Sequence, residues 1–118
     1  MLKLDIQFLT DKANINSITT TNTQGVVQID NKGVYLRSDK QLNVNCDVDS
    51  NPEANCEWVY GGKILEGSSC NEQFDISTSS LLKCKAKNSQ YENELDEISL
   101  NVTVVNSDRK LIKVLLIM

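Results

Sequence analysis

The chain has 118 residues, 40% of them hydrophobic, which is one domain's worth of protein with material for a core of roughly 100 residues. Its formal charge of −4, from 12 basic and 16 acidic side chains, argues against a surface built for nucleic acid or an anionic membrane. Histidine is absent, which removes the usual general base, the nucleophilic triads built on imidazole and the mixed Cys/His zinc sites.

In chain order, Leu2, Leu4, Ile6 and Phe8 alternate with polar residues as a half-buried strand does. Residues 1–24 read as the last strand of a preceding module plus a Thr/Asn/Ser-rich linker over 10–24; the alternative makes 2–9 an edge strand of the same domain. Val26–Ile29 follows Gly25 as a strand, and residues 33–36 continue it beyond a turn at Asp30 and Asn31. Residues 42–48 alternate cleanly. A turn cluster at 49–52 ends in Pro52, which cannot donate to a ladder. Asn55–Tyr60 is the next strand, Gly61-Gly62 turns the chain into Lys63–Leu65, and a second turn occupies 66–69.

Phe74 and Ile76 mark a short strand, residues 81–88 a longer one, and 98–104 alternate after an acidic connection over 91–97. No segment sustains a helical period. The apolar stretch 111–118 is short against the ~20 residues of a bilayer span, so 107–118 reads as the start of a further module or of a span. Asp5 falls where a secretory signal would be apolar, so the chain is expected to be a piece of a longer exported protein.

The four cysteines stand at 46, 56, 70 and 84, with no close pair of the kind that clasps zinc, which favours two disulfides in an oxidising compartment. Three connectivities are open, and the sequence alone does not choose among them. Asp47, Asp49 and the acidic connection lack the ligand periodicity of a calcium loop and read as solvated surface. Ser68 and Ser69 have no base to activate them. Neither a catalytic residue, a cofactor nor a metal is expected.

Leu42, Val44, Cys46 and Val48 share one strand face, as do Cys56, Trp58 and Tyr60, and Leu82, Cys84 and Ala86. With Asn51-Pro52, Gly62-Lys63-Ile64-Leu65 and Cys84-Lys85-Ala86-Lys87-Asn88, these landmarks make residues 25–106 resemble a divergent I-set or C2-set immunoglobulin domain. The resemblance implies an all-β, Greek-key sandwich in which Trp58 packs on an inter-sheet Cys46–Cys84 disulfide, and with it a Cys56–Cys70 bridge. The 38 positions from Cys46 to Cys84 leave no room for the C′ and C″ strands of a variable-type domain. Leu82 stands where such domains often place a corner tyrosine, so the turn before that strand is expected to be less rigid.

The family resemblance further implies an extracellular or cell-surface, non-enzymatic module acting in adhesion or receptor recognition through protein contacts, a second copy of itself included. With the acidic charge balance, no nucleic-acid partner is expected, and no membrane contact except through a tether outside this stretch. The alternatives are a secreted effector or decoy, or a structural spacer in a multidomain chain. Lys83, Lys85 and Lys87 should face outward together beside Glu57, a common recognition face in such receptors. Tyr91 is the expected contact at the tip, and Asn101-Val102-Thr103 is the one glycosylation sequon.

Overall fold

The computed structural model describes residues 10–20, 25–29, 33–38, 40–65 and 69–105. Among them are nine strands and no helix: β1 (Asp11–Thr20), β2 (Val26–Ile29), β3 (Gly33–Arg37), β4 (Gln41–Asn51), β5 (Asn55–Tyr60), β6 (Lys63–Leu65), β7 (Asn71–Asp75), β8 (Ser80–Lys87) and β9 (Asp96–Val105). One sheet has the order β1-β4-β7 and the other β2-β3-β9-β8-β5-β6. All pairings are antiparallel except β3 with β9. This is an immunoglobulin-like sandwich.

The inward positions of β4, β5 and β8 are those read from alternation: Leu42, Val44, Cys46, Cys56, Trp58, Leu82, Cys84 and Ala86 are buried, with Val48 and Tyr60 at the margin. Trp58 is 0% exposed at the centre, 5.8 Å from Phe74 in an edge-to-face contact, and its indole N–H donates to the Ser69 carbonyl at 2.8 Å. A buried Trp thereby satisfies its one polar atom.

Cys46 is joined to Cys84 and Cys56 to Cys70, with Cα separations of 6.5 and 4.9 Å, and no described cysteine is free. Both bridges cross between the sheets. The Cys46 N–H donates to the Cys70 carbonyl at 2.7 Å, which extends the β4–β7 pairing to Cys70 and puts both of those residues in the first sheet.

The expected linker at 10–24 is not a linker over most of its length. Residues 11–20 form β1, the edge strand of the three-stranded sheet, pairing with β4 from Asp11↔Asn51 to Thr20↔Val44. Two register shifts, between Asp11 and Asn14 and between Ile15 and Ser17, interrupt that ladder. They move the buried residues from Ala13 to Ile18, and the two-residue period disappears.

The hairpin at Gly61-Gly62 adds β6 beside β5, a three-residue strand corresponding to C′ that the length argument left out. Both glycines have positive φ, 58° and 84°, as a two-residue turn between right-twisted strands requires. Residues 2–9, the turn at Asp30 and Asn31, residues 66–68 and the segment 107–118 lie outside the described residues.

Candidate binding face

On the outer face of the six-stranded sheet, the register aligns side chains into rows. Glu57, Lys85 and Glu97 are direct cross-strand neighbours on β5, β8 and β9, and Val59, Lys83 and Ser99 form the next row. Ile64 of β6 extends that second row beside Val59. The Lys83 ammonium lies 3.8 Å from Glu97, and Lys87 lies 3.1 Å from Glu92 of the connection between β8 and β9. These ion pairs are solvent-exposed and contribute little to stability, about 0–1 kcal/mol each. The structure therefore brings Glu57, Lys83, Lys85 and Lys87 onto one mixed-charge face, as the alternation implies.

Exposed apolar side chains interrupt the charge. Ile64 is 69% exposed, Leu95 50% and Leu81 43%. Leu95 closes a shallow groove of about 360 Å³ with Cys56, Glu57, Lys85 and Lys87. Alternation did not single out Leu95 because it lies in the β8–β9 connection, outside any strand.

Asn101 is exposed on β9, opposite Leu81 on one side and Gly33 on the other. Gly33 permits close approach of β3, since a Cβ there would stand 3.1 Å from the Asn101 carbonyl oxygen. An open groove of about 540 Å³ runs past Asn101, lined also by Ile29, Tyr35, Leu81 and Thr103. Asn101 lies four residues along β9 from Glu97, about 14 Å at ~3.4 Å per residue, so the sequon and the charged row occupy different halves of the face.

Tyr91, the expected contact at the tip, is engaged within the chain. It is half-buried, and its hydroxyl is 2.8 Å from Thr10 Oγ1 and 3.3 Å from the Thr10 carbonyl, which it donates to, so it ties the loop to the start of β1. The loop owes its shape to Asn88, which is 1% exposed. Its Oδ1 accepts from the N–H groups of Gln90 and Tyr91, and its Nδ2 donates to the Asp11 carbonyl and to Ser50 Oγ. The bond to Ser50 joins the β8–β9 connection to the end of β4, so the two loops expected at one tip do adjoin.

The turn before β8 is also pinned, by a residue the sequence reading gave no such role. The Tyr60 hydroxyl donates to the Thr78 carbonyl at 2.6 Å, and Tyr60 is the cross-strand partner of Leu82. The phenol absent at position 82 is supplied from the neighbouring strand. Burial raises the Tyr60 hydroxyl above its ordinary value, opposed by a backbone hydrogen bond at Ser80.

The sulfurs of Cys46, Cys56 and Cys84 lie within 4.8 Å of one another, but each is held in a disulfide and none is a thiolate ligand. Among the described residues no helix is long and apolar enough to cross a membrane.

No family model and no curated protein matches the chain. Among solved structures it is similar to hemolin, an insect immune protein whose crystal structure is described as a new domain arrangement with implications for homophilic adhesion. The match has a TM-score of 0.54 at 19% identity and covers 73% of this chain and 26% of hemolin. At that identity the likeness is one of fold, and the fold of this chain is an immunoglobulin-like sandwich.

Proposed function

We propose that the chain is an extracellular or cell-surface binding module, not an enzyme, that acts in adhesion or receptor recognition through the outer face of its six-stranded sheet. The observation that carries this reading is the row Glu57–Lys85–Glu97 flanked by Lys83, Lys87 and the exposed Leu95. Alternating charges orient a partner, while the apolar groove beside them supplies area that gains from leaving water. A surface carrying both signs in adjacent columns can also face a rotated copy of itself, so a second copy belongs among the candidate protein partners. The two disulfides suit an oxidising compartment.

A glycan on Asn101 is part of this reading. It would cover the half of the face around Tyr35 and Leu81 and leave the half around Lys85 and Leu95 to the partner. Beads coated with the chain test the function: clustering, or attachment to cells, is expected, with loss on combining Lys85→Glu and Leu95→Asp. Coated beads that neither cluster nor attach would overturn the binding reading, and undiminished attachment by the double variant would move the site off this face.

A further inference from the structure

The two disulfides lie side by side between the sheets. Cys46 and Cys70 are opposite one another in the first sheet, joined by the 2.7 Å hydrogen bond between their backbones. Cys56 and Cys84 lie on neighbouring strands of the second sheet, on its inner face and on a diagonal, because Cys56 pairs with Ala86 and Cys84 with Trp58. The sulfurs of Cys46, Cys56 and Cys84 are mutually within 4.8 Å. Each bridge is thus an inter-sheet link lying beside the other; Cys46 and Cys70 are direct neighbours in the first sheet, and Cys56 and Cys84 are diagonal neighbours in the second, a pair that joins only with a local shift of backbone.

Access to the four is unequal. Cys46 and Cys56 are 2% exposed and Cys84 is 0%. Cys70 is only partly buried and, with Cys46, Ala54, Asn55 and Ser69, lines an open groove of about 440 Å³. That volume admits a small thiol, and thiol–disulfide exchange depends on which sulfur the thiolate can reach.

We propose that the two bridges form an exchange relay, entered at Cys70 by a small monothiol of the glutathione class and passed to the core bridge through Cys56. The incoming thiolate bonds to the Cys70 sulfur, the Cys56–Cys70 bond breaks, and Cys56 leaves as a thiolate. Cys56 then attacks the sulfur of Cys84, forming Cys56–Cys84 and expelling Cys46 as a thiolate. Cys46, opposite Cys70, displaces the bound monothiol and closes Cys46–Cys70. Two disulfides enter and two emerge, the monothiol is regenerated, and no net oxidation or reduction occurs. The product differs in what it ties: both bridges of the starting state link the sheets, whereas each bridge of the product lies within one sheet. The exchange releases the covalent latch of the sandwich, and the two sheets are then held by packing and by the side-chain hydrogen bonds between them.

The test incubates the oxidised full chain with glutathione, quenches with acid, alkylates, and maps disulfide-linked peptides without reduction while Trp58 emission is followed. The expected sequence is a glutathione adduct on Cys70 first, then peptides joined through Cys56–Cys84 and Cys46–Cys70, all while the wavelength of Trp58 emission remains that of a buried indole. Appearance of four alkylatable thiols together, only as the emission shifts to its unfolded value, would overturn the relay. So would a Cys70 adduct beside a free Cys56 and an unchanged Cys46–Cys84 bridge. In Cys70→Ser the single remaining thiol should be found by alkylation on both Cys56 and Cys46, with Cys56–Cys84 peptides present; label confined to Cys56 refutes the proposal. If Cys70→Ser does not fold, the wild-type mapping decides alone.

Discussion

Strands β4, β5 and β8 and strand β1 belong to the same sandwich but are held in it by different forces. The first three contribute Leu42, Val44, Cys46, Cys56, Trp58, Leu82, Cys84 and Ala86 to a buried centre crossed by two disulfides. Strand β1 buries only Ala13 and Ile18 and is tied by polar side chains of the other sheet and its loops to β1 backbone atoms. Asp96 Oδ2 accepts the Ile15 N–H at 2.7 Å, Gln28 accepts from Thr20 and donates to the Ile18 carbonyl, and Asn88 donates to the Asp11 carbonyl. Apolar burial is non-directional and large, while each net hydrogen bond is worth about 1 kcal/mol and depends on geometry. One region is cemented; the other is laced.

The sharpest way to break that contrast is at the cement. Trp58→Ala should cost about 3–5 kcal/mol, the usual range for truncating a fully buried large aromatic, and it also leaves the Ser69 carbonyl without its donor. Denaturant unfolding followed by far-ultraviolet circular dichroism measures it. A cost below about 1 kcal/mol, the scale of a single net hydrogen bond, would mean that the centre of the sandwich lies elsewhere.

Next in size is the lacing. Asn88→Ala removes four hydrogen bonds at a buried position and strands the N–H groups of Gln90 and Tyr91, for an expected loss of about 1–3 kcal/mol. The effect should also be local. Hydrogen exchange should accelerate at the Asp11 end of β1 and in the β8–β9 connection, while amides of β5 and β8 lose protection only by the global change. Uniform loss of protection across both sheets would show that β1 is not a separable layer.

The same contrast explains what could be read in the sequence. Residues 42–48, 55–60 and 81–88 are legible because each strand has one face in the core and a period of two, and Cys46, Trp58 and Cys84 fall on the buried phase. Strand β1 is not legible, since its two register shifts erase the period and its anchors are side chains 8 to 81 residues away. Asp-Lys-Ala-Asn-Ile-Asn-Ser therefore has the composition of a linker and the position of a strand. At the candidate face, Lys83, Lys85, Lys87 and Glu57 follow from alternation. Leu95 and the tethering of Tyr91 do not, because a loop side chain has no period to reveal its direction.

Tyr60 connects the two kinds of support, reaching from a core strand to a turn. Tyr60→Phe should cost about 0.5–1.5 kcal/mol through loss of the bond to Thr78. Its hydroxyl also titrates higher in the fold than in the unfolded chain, chiefly through burial. The folded state then keeps this proton over a range in which the unfolded state has released it, so the contribution is present below about pH 10 and is lost as pH rises beyond it. Comparing wild type with Tyr60→Phe by thermal melts above and below pH 10 isolates that slope, which should be steeper in the wild type. Parallel slopes would remove the phenol from the account.

The smallest expected change of stability is at the candidate face, where it matters most for function. Lys85 stands between Glu57 and Glu97 on an exposed sheet surface, so Lys85→Ala should alter stability by no more than about 0.5 kcal/mol. If the face binds a protein, the same substitution should lower attachment of coated beads and reduce its sensitivity to salt, because a charge that orients a partner acts through a screened field. A Lys85→Ala chain with unchanged melting but diminished, less salt-dependent attachment would separate recognition from architecture. A chain that loses about 2 kcal/mol or more instead, beyond what an exposed ion pair contributes, would place Lys85 in the structural account.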